Sequence, residues 1–196
     1  MDKKSVSASL LVLYLALVFS VIGICFSMFV YKDTRILVTS AAVVVDSGVE
    51  VFADEELSKK ATSLKLSNMD AGLKPATGEV DRETQIPSTI TDTGTSEGYY
   101  STVYVKCLTG FKVNIKNIKI ETKKDKTAAN EQTKNIFIAI KDVKNAVKTL
   151  EKEGTIASFE NVNETQKLTF YIWIGSLASD DIEGAKISFA LEFLQV

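Results

Sequence analysis

Residues 111–121, FKVNIKNIKIE, alternate apolar and polar side chains over almost their whole length. Apolar residues at every second position from Phe111 to Ile115 share one face, and Ile118 and Ile120 continue the pattern after a shift of one position. Alternation with a period of two predicts a β-strand with one buried face. A one-residue shift inside such a pattern predicts a β-bulge. The stretch therefore predicts a long, bulged strand.

The same period of two recurs from residue 36 to the end of the chain. Several such strands joined by short turns are typical of an antiparallel β-sandwich, so we expect a mainly all-β domain. The other predicted strands fall within residues 36–38, 42–45, 49–53, 64–66, 99–107, 136–140, 168–174 and 187–193.

Three aromatic residues break the simple pattern of these strands. Phe137, Tyr171 and Trp173 lie on the face opposite to the main apolar stripe. We expect them to pack beneath a loop or a helix. Residues 68–98, which hold both prolines of the chain, are the least regular region and predict a long loop or a set of short edge strands. Long loops on a rigid scaffold often carry function.

One segment has helical spacing instead. Asp142 is a suitable N-cap, and the apolar residues that follow it recur at i, i+3, i+4 and i+7 before Gly154. This pattern predicts one short amphipathic helix that lies across the sandwich.

The amino-terminal part of the chain has a different character. Residues 5–31 contain no charged side chain, and a bilayer needs about 20 apolar residues of helix. We therefore expect residues 1–35 to form a transmembrane or signal-anchor segment, with residues 36–196 exported as a β-sandwich domain. The alternative is a cleaved signal peptide, for which residues 38–42 offer the nearest cleavage site.

Composition excludes several classes of function. The chain has no histidine and a formal net charge of −2. Without an imidazole it lacks the base of Ser-His-Asp and Cys-His catalysis and the ligands of His-type zinc sites. The balanced charge disfavours a nucleic-acid partner. Cys107 is the only cysteine after residue 35, so the exported part forms no internal disulfide, and we expect this thiol to be buried and inert. No enzyme activity and no cofactor are predicted.

Acidic side chains offer the only candidate for a metal site. Asp180, Asp181 and Glu183 are close in sequence and carry the oxygen ligands that hard cations prefer. Their spacing does not match an EF-hand loop. A solvated acidic turn is the alternative, and no metal site is predicted.

Two groups of residues are candidates for a binding surface. Tyr99 and Tyr100 adjoin the 68–98 loop. Three lysines lie along one predicted strand and could bind an anionic wall polymer or phospholipid headgroups: Lys112, Lys116 and Lys119. A solvated hairpin that protects a sheet edge is the alternative interpretation of the lysines.

The basic residues also indicate a source. Lysine outnumbers arginine by 21 to 2. This bias is common in AT-rich bacterial genomes, and together with the thiol-poor exported part it suggests a Gram-positive bacterium.

Two short segments resemble the exported TasA/camelysin family. They are residues 64–72, LKLSNMDAG, and residues 185–193, AKISFALEF. The resemblance implies a jelly-roll domain at the cell surface, which in some members assembles into biofilm matrix fibres. The chain departs from the family in its longer apolar segment and in Asp-Ala-Gly where a Pro-Gly turn is expected. Nothing in its residues supports the metallopeptidase activity ascribed to camelysin.

These observations lead to two functional hypotheses. The first is a non-enzymatic bacterial cell-surface or extracellular-matrix protein that assembles by strand addition, with residues 36–46 as the donated strand. The alternative is a membrane-anchored binding module for a glycan, a wall polymer or an envelope protein. Either protein would contact the membrane through residues 5–31 and face outward, or be secreted to the cell surface.

Overall fold

The chain divides into two compact units, residues 1–34 and 35–196. A computed structural model describes residues 14, 16–20, 37–66, 76, 78–82, 85–90, 98–122, 126–160, 162, 164–179, 182 and 184–196. In the first unit, Tyr14 and residues 16–20 are helical, and the rest of the predicted membrane segment 5–31 lies outside the described residues. Within these described ranges, no helix is both long and apolar enough to cross a membrane.

The second unit is built from strands. A short helix, α1 (Lys126–Glu131), and a 3-10 turn, Gln132–Asn135, precede the sixth strand. The strands are β1 (Leu37–Val45), β2 (Val49–Phe52), β3 (Ser63–Leu64), β4 (Gly98–Cys107), β5 (Phe111–Glu121), β6 (Ile136–Ile140), β7 (Val147–Thr149), β8 (Gly154–Phe159), β9 (Gln166–Ile174) and β10 (Lys186–Gln195).

The strands form two five-stranded sheets. The first sheet has the order β3-β1-β10-β5-β8, and the second sheet has the order β2-β4-β9-β6-β7. From β4 onward, successive strands pass from one sheet to the other, except that β6 and β7 form a hairpin within the second sheet. The predicted mainly β architecture with two sheets around one core is confirmed.

Strand β1 is paired differently from the others. It runs parallel to β10, whereas the other described strand pairs are antiparallel. On its other side, among the described residues, it pairs with the two residues of β3, where Ala41 pairs with Leu64, and the N–H of Val43 donates to the carbonyl of Thr62 at 3.0 Å. Val44 and Val45, beyond that contact, are each 47% exposed. The edge of the first sheet that β3 and β1 form is therefore only partly paired and partly exposed.

The main core lies between the two sheets. The rings of Phe170 and Phe193, from opposite sheets, meet edge to face with their centroids 6.4 Å apart. Phe111 stacks on Phe159 at 4.7 Å. Aromatic and branched side chains of this size supply most of the stabilisation by burial. The largest fully buried side chains are Tyr99, Phe111, Phe170, Phe193, Ile115, Ile136, Ile138, Ile140, Leu150 and Ile172.

The β-bulge predicted within residues 111–121 is confirmed. Ser188 of β10 pairs with Lys119, and Ala190 pairs with Lys116, so two residues of β5 oppose one residue of β10. Asn117 has a φ of 54°, the left-handed conformation that such bulges often use. The extra residue restores the inward direction of Ile120, which is buried.

The predicted amphipathic helix after Asp142 is absent. Asp142 and Asn145 both have a φ of 59° and belong to the turn of the β6–β7 hairpin. Ala146 and Leu150 are nevertheless buried. A separation of four residues places two side chains on one face of a helix, but it also places them on one face of a strand. The left-handed residues of the turn rule out the helix.

Candidate functional site

The outer face of the second sheet carries aromatic side chains at neighbouring register positions. Phe137 of β6 pairs with Trp173 of β9, and their rings stack with centroids 5.4 Å apart and planes 14° apart. Two residues along β9, Tyr171 pairs with Tyr100 of β4 on one side and Ala139 of β6 on the other. Because alternate residues of a strand share a face, these rings form one continuous surface.

A hairpin covers these rings, and we call it the covering hairpin (described residues 78–82 and 85–90). It is closed by a β-bridge between Val80 and Pro87. Near its tip, Gln85 has a φ of 58°. The backbone of the covering hairpin is therefore left-handed at this point.

Apolar side chains of the covering hairpin fix it to the sheet. Ile86 and Ile90 form a buried cluster with Tyr171 and Trp173. The prediction that the aromatic side chains of this face pack beneath a loop is thus confirmed. The loop belongs to residues 68–98, the region that the sequence marked as the least regular.

Two glycines allow this close packing. A Cβ atom on Gly98 would lie 2.9 Å from Cγ2 of Ile90, and one on Gly175 would lie 2.7 Å from Cε2 of Phe137. Carbon atoms in favourable contact are about 3.5–4.0 Å apart. Any larger residue at either position would therefore displace the hairpin or the ring.

A cavity of about 530 Å³ opens between the covering hairpin and the second sheet. Phe137 and Trp173 line its apolar side. The polar residues that line it are Asp81, Arg82, Gln85, Asn135 and Ser176. The volume falls in the range of small-ligand sites, which combine apolar walls with a few polar groups.

The side chain of Asn135 is held at the edge of this cavity. Its Nδ2 donates a hydrogen bond to Oε1 of Gln132 at 2.8 Å. Its backbone carbonyl accepts a hydrogen bond from the N–H of Gly175 at 2.7 Å. The first contact fixes the amide within the 3-10 turn, and the second ties that turn to the end of β9, so the amide is positioned by the fold.

The two tyrosines predicted as a contact surface face opposite sides of β4. Tyr99 is fully buried between the sheets, so it offers no surface to a ligand. Tyr100 is half-buried on the outer face of the second sheet. It lines a second cavity of about 310 Å³ together with Lys141 and Lys167.

The three candidate lysines lie on the other side of the molecule. Lys112, Lys116 and Lys119 belong to β5, which sits between β10 and β8 in the first sheet. The pairing with β8 ends at Ile115, so Lys112 lies inside the sheet, whereas Lys116 and Lys119 lie where β5 has β10 as its described partner on one side only. Nζ of Lys116 lies 3.7 Å from Oε2 of Glu153. The structure therefore does not bring these lysines together with Tyr100.

The candidate metal ligands Asp180, Asp181 and Glu183 lie outside the described residues. Across the part of the chain that the structure describes, no group of three or more Cys, Asp or Glu side chains is arranged to hold a metal ion.

Another acidic side chain has a clear structural role. Asp54 accepts hydrogen bonds from the hydroxyl of Ser58 at 2.6 Å and from the backbone N–H groups of Ser58 and Lys59 at 2.8 and 3.2 Å. The Ser58 hydroxyl is the main cause that holds the pKa of Asp54 below its ordinary value of 3.8, and the backbone N–H groups add to it. Asp54 therefore stabilises the turn after β2.

Cys107 is buried, as predicted. Its Sγ donates to the carbonyl of Gly110 at 3.3 Å. A buried thiol of this kind behaves as a small apolar side chain.

Sequence reasoning did not identify the polar residues of the larger cavity. Asp81, Arg82 and Gln85 show no motif, and Asn135 is separated from them by 50 residues of chain. One signal was present, since Arg82 is one of two arginines in a lysine-rich chain. Arginine is the side chain suited to bidentate hydrogen bonding.

No protein-family model matches the chain. No curated protein matches it significantly.

Proposed function

We propose that this protein is a non-enzymatic structural protein of a bacterial cell surface or extracellular matrix, and that it assembles by strand addition. In this proposal β1 of one copy completes the first sheet of the next copy. The sandwich would be a jelly-roll, the fold that the TasA/camelysin resemblance implies. The passage of successive strands from sheet to sheet after β4 supports that fold.

The pairing of β1 is the observation that carries the proposal. This strand is parallel to β10 in an otherwise antiparallel set of described pairs. On its other side, residues 62–64 bond only with its middle part, Ala41 to Val43. It also follows directly after the predicted membrane segment. A strand with one main neighbour can leave its sheet at a lower cost than a strand with two.

Departure of β1 would leave an acceptor site. Along residues 186–193, the backbone of β10 would lose its pairing with β1 and keep its pairing with β5, and buried Ala41 would leave the core. An unpaired sheet edge is a template for another strand. The sequence best matched to this groove is β1 of a second copy.

A pair of introduced cysteines tests the proposal. Ala42 and Ala190 are register partners on β1 and β10, so the double variant Ala42→Cys/Ala190→Cys can lock β1 within its own chain. We expect the full chain, oxidised as a monomer, to stay monomeric, and the reduced chain to form fibres in negative-stain micrographs. Oxidation after assembly should link neighbouring copies and give a ladder on a non-reducing gel.

The single variants Ala42→Cys and Ala190→Cys are the controls, because neither can form the lock. Equal assembly of the locked and reduced chains would contradict strand addition. So would monomers alone under every salt concentration and pH tried.

A second candidate function, binding of a ligand at the cell surface, is favoured by the larger cavity. This function does not require assembly. It would make the second sheet the working surface and leave β1 with a structural role only.

A further inference from the structure

We propose that the cavity beneath the covering hairpin is a saccharide-binding site for an uncharged sugar unit. The inference deepens the second candidate function and is independent of strand addition. Three properties carry it: the aromatic wall, the set of polar side chains and their net charge.

The aromatic wall matches one face of a sugar ring. Trp173 is only 3% exposed, so Phe137, which is half-buried, presents the accessible ring. Trp173 stacks behind it at 5.4 Å and fixes its orientation. A pyranose ring carries C–H groups on its faces, and these groups gain free energy by packing on an aromatic ring that excludes water.

The polar side chains match the edge of a sugar ring. A hydroxyl group both donates and accepts hydrogen bonds. The exposed guanidinium of Arg82 supplies donors, and the exposed amide of Gln85 supplies both donors and an acceptor. Nδ2 of Asn135 already donates to Gln132 and to the carbonyl of Leu177, so this amide offers its oxygen as an acceptor. A polyol can form hydrogen bonds with side chains of this kind, whereas a purely apolar peptide side chain cannot.

The charges on the cavity wall favour a neutral ligand. Asp81 and Arg82 are the two charged residues among those described as lining it, and their formal charges cancel. These two residues together therefore give an anionic wall polymer no net formal charge to bind. The second cavity, with Lys141 and Lys167 against Asp142, has the basic excess that this one lacks.

The site is organised before a ligand arrives. The N–H of Gln85 donates to the carbonyl of Asp81 at 2.9 Å, which closes the tip of the covering hairpin. Ile86 and Ile90 anchor the hairpin on the sheet. Gln132, in the same 3-10 turn, orients the amide of Asn135. A preformed site loses less conformational entropy on binding.

The chain provides its own reporter of binding, because Trp173 is its only tryptophan. The experiment titrates the full chain, in a detergent without a sugar headgroup, with three tetrasaccharides. Two are neutral, chitotetraose and cellotetraose, and one is anionic, tetragalacturonate. Tryptophan emission and titration calorimetry are recorded in parallel. We expect saturable binding of at least one neutral tetrasaccharide and weaker or no binding of the anionic one.

Variants at the hairpin tip locate the binding. Arg82→Ala removes the exposed guanidinium, and Gln85→Gly removes the amide while it suits the left-handed backbone at this position. We expect each to raise the dissociation constant by about tenfold or more, the effect of losing hydrogen bonds worth about 1.5 kcal/mol. Lys119→Ala, on the first sheet, is the matched control and should leave the constant unchanged.

Three outcomes would overturn the inference. They are no saturable binding of either neutral tetrasaccharide, tighter binding of tetragalacturonate, and binding that neither hairpin variant weakens. The two proposals can fail separately. If fibres form but no saccharide binds, the saccharide site is wrong and strand addition is still supported. If a saccharide binds but the chain never assembles, strand addition is wrong and the saccharide site is still supported.

Discussion

The carboxylate of Glu153 accepts a hydrogen bond from the backbone N–H of Asn117, with 2.7 Å between Oε1 and the nitrogen. Asn117 is the extra residue of the β5 bulge, where the regular ladder with β10 is interrupted. The other carboxylate oxygen lies 3.7 Å from Nζ of Lys116. A side chain from the turn between β7 and β8 therefore supplies an acceptor to the bulged backbone.

We expect removal of this acceptor to lower the free energy of unfolding. Glu153→Ala should cost about 1 kcal/mol, the typical net value of one hydrogen bond. Glu153→Gln keeps an acceptor oxygen and should cost less. Urea denaturation of the two variants measures the difference, and equal stability of both with the parent chain would show that the contact adds nothing.

The conformation of Asn117 leads to a second prediction. A φ of 54° is open to glycine and asparagine but costs other L-residues about 1–2 kcal/mol. Asn117→Gly should therefore leave the stability nearly unchanged, and Asn117→Val should lower it by about that amount. A comparison of their urea midpoints checks this. Equal loss in both variants would mean that the asparagine side chain, and not its backbone, is required.

The turn at Asp54 predicts a pH dependence. The pKa of Asp54 is lowered in the folded chain, chiefly by the Ser58 hydroxyl. The unfolded chain therefore binds the proton more readily, and the stabilisation is present above about pH 3.8 and lost as the pH falls through the lower folded value. Asp54→Asn should be less stable than the parent at about pH 7, and the difference in stability should narrow as the pH falls below 3.8.

Ser58→Ala gives an independent check of the same contact. It removes the main hydrogen-bond donor, so the pKa of Asp54, followed by NMR, should move back toward 3.8. An unchanged pKa would assign the shift to the backbone N–H groups instead.

The contact between Gly175 and Phe137 predicts coupling between two substitutions. Gly175→Ala places a methyl group against the ring, so it should lower stability by about 1–3 kcal/mol and shift the emission of Trp173. In a Phe137→Leu background the same change should cost less, because the shorter side chain leaves room. Additive costs in the double-mutant cycle would show that the ring and the glycine do not interact.

Local periodicity predicted most of the sandwich because burial on one face of a strand leaves a two-residue pattern. It placed the bulge between Lys116 and Ile118, and it put Phe137 and Trp173 on the covered outer face. It failed between residues 142 and 154, where the spacing of Ala146 and Leu150 fits a helix and a strand equally well. The turn is set by the left-handed backbone of Asp142 and Asn145, and the pattern of apolar residues carries no sign of that conformation.

The cavity was harder to predict than the fold. Arg82 and Asn135 are distant in sequence and line the same cavity only because the covering hairpin folds back on the sheet. Tyr99 illustrates the opposite case. Its neighbour Tyr100 has the same side chain, and which of the two is buried depends only on which face of β4 turns toward the core.

The position of β10 between β1 and β5 has a consequence for the order of folding. The first sheet joins the earliest strand of the chain to the last, so residues 37–45 wait for residues 186–193 before they gain their main partner. Contacts of such long sequence separation make folding slow. During that interval β1 has no partner in its own chain along most of its length, and the first β10 to reach it can belong to a neighbouring molecule. Chain concentration at the time of synthesis would then decide between a closed monomer and an exchanged pair.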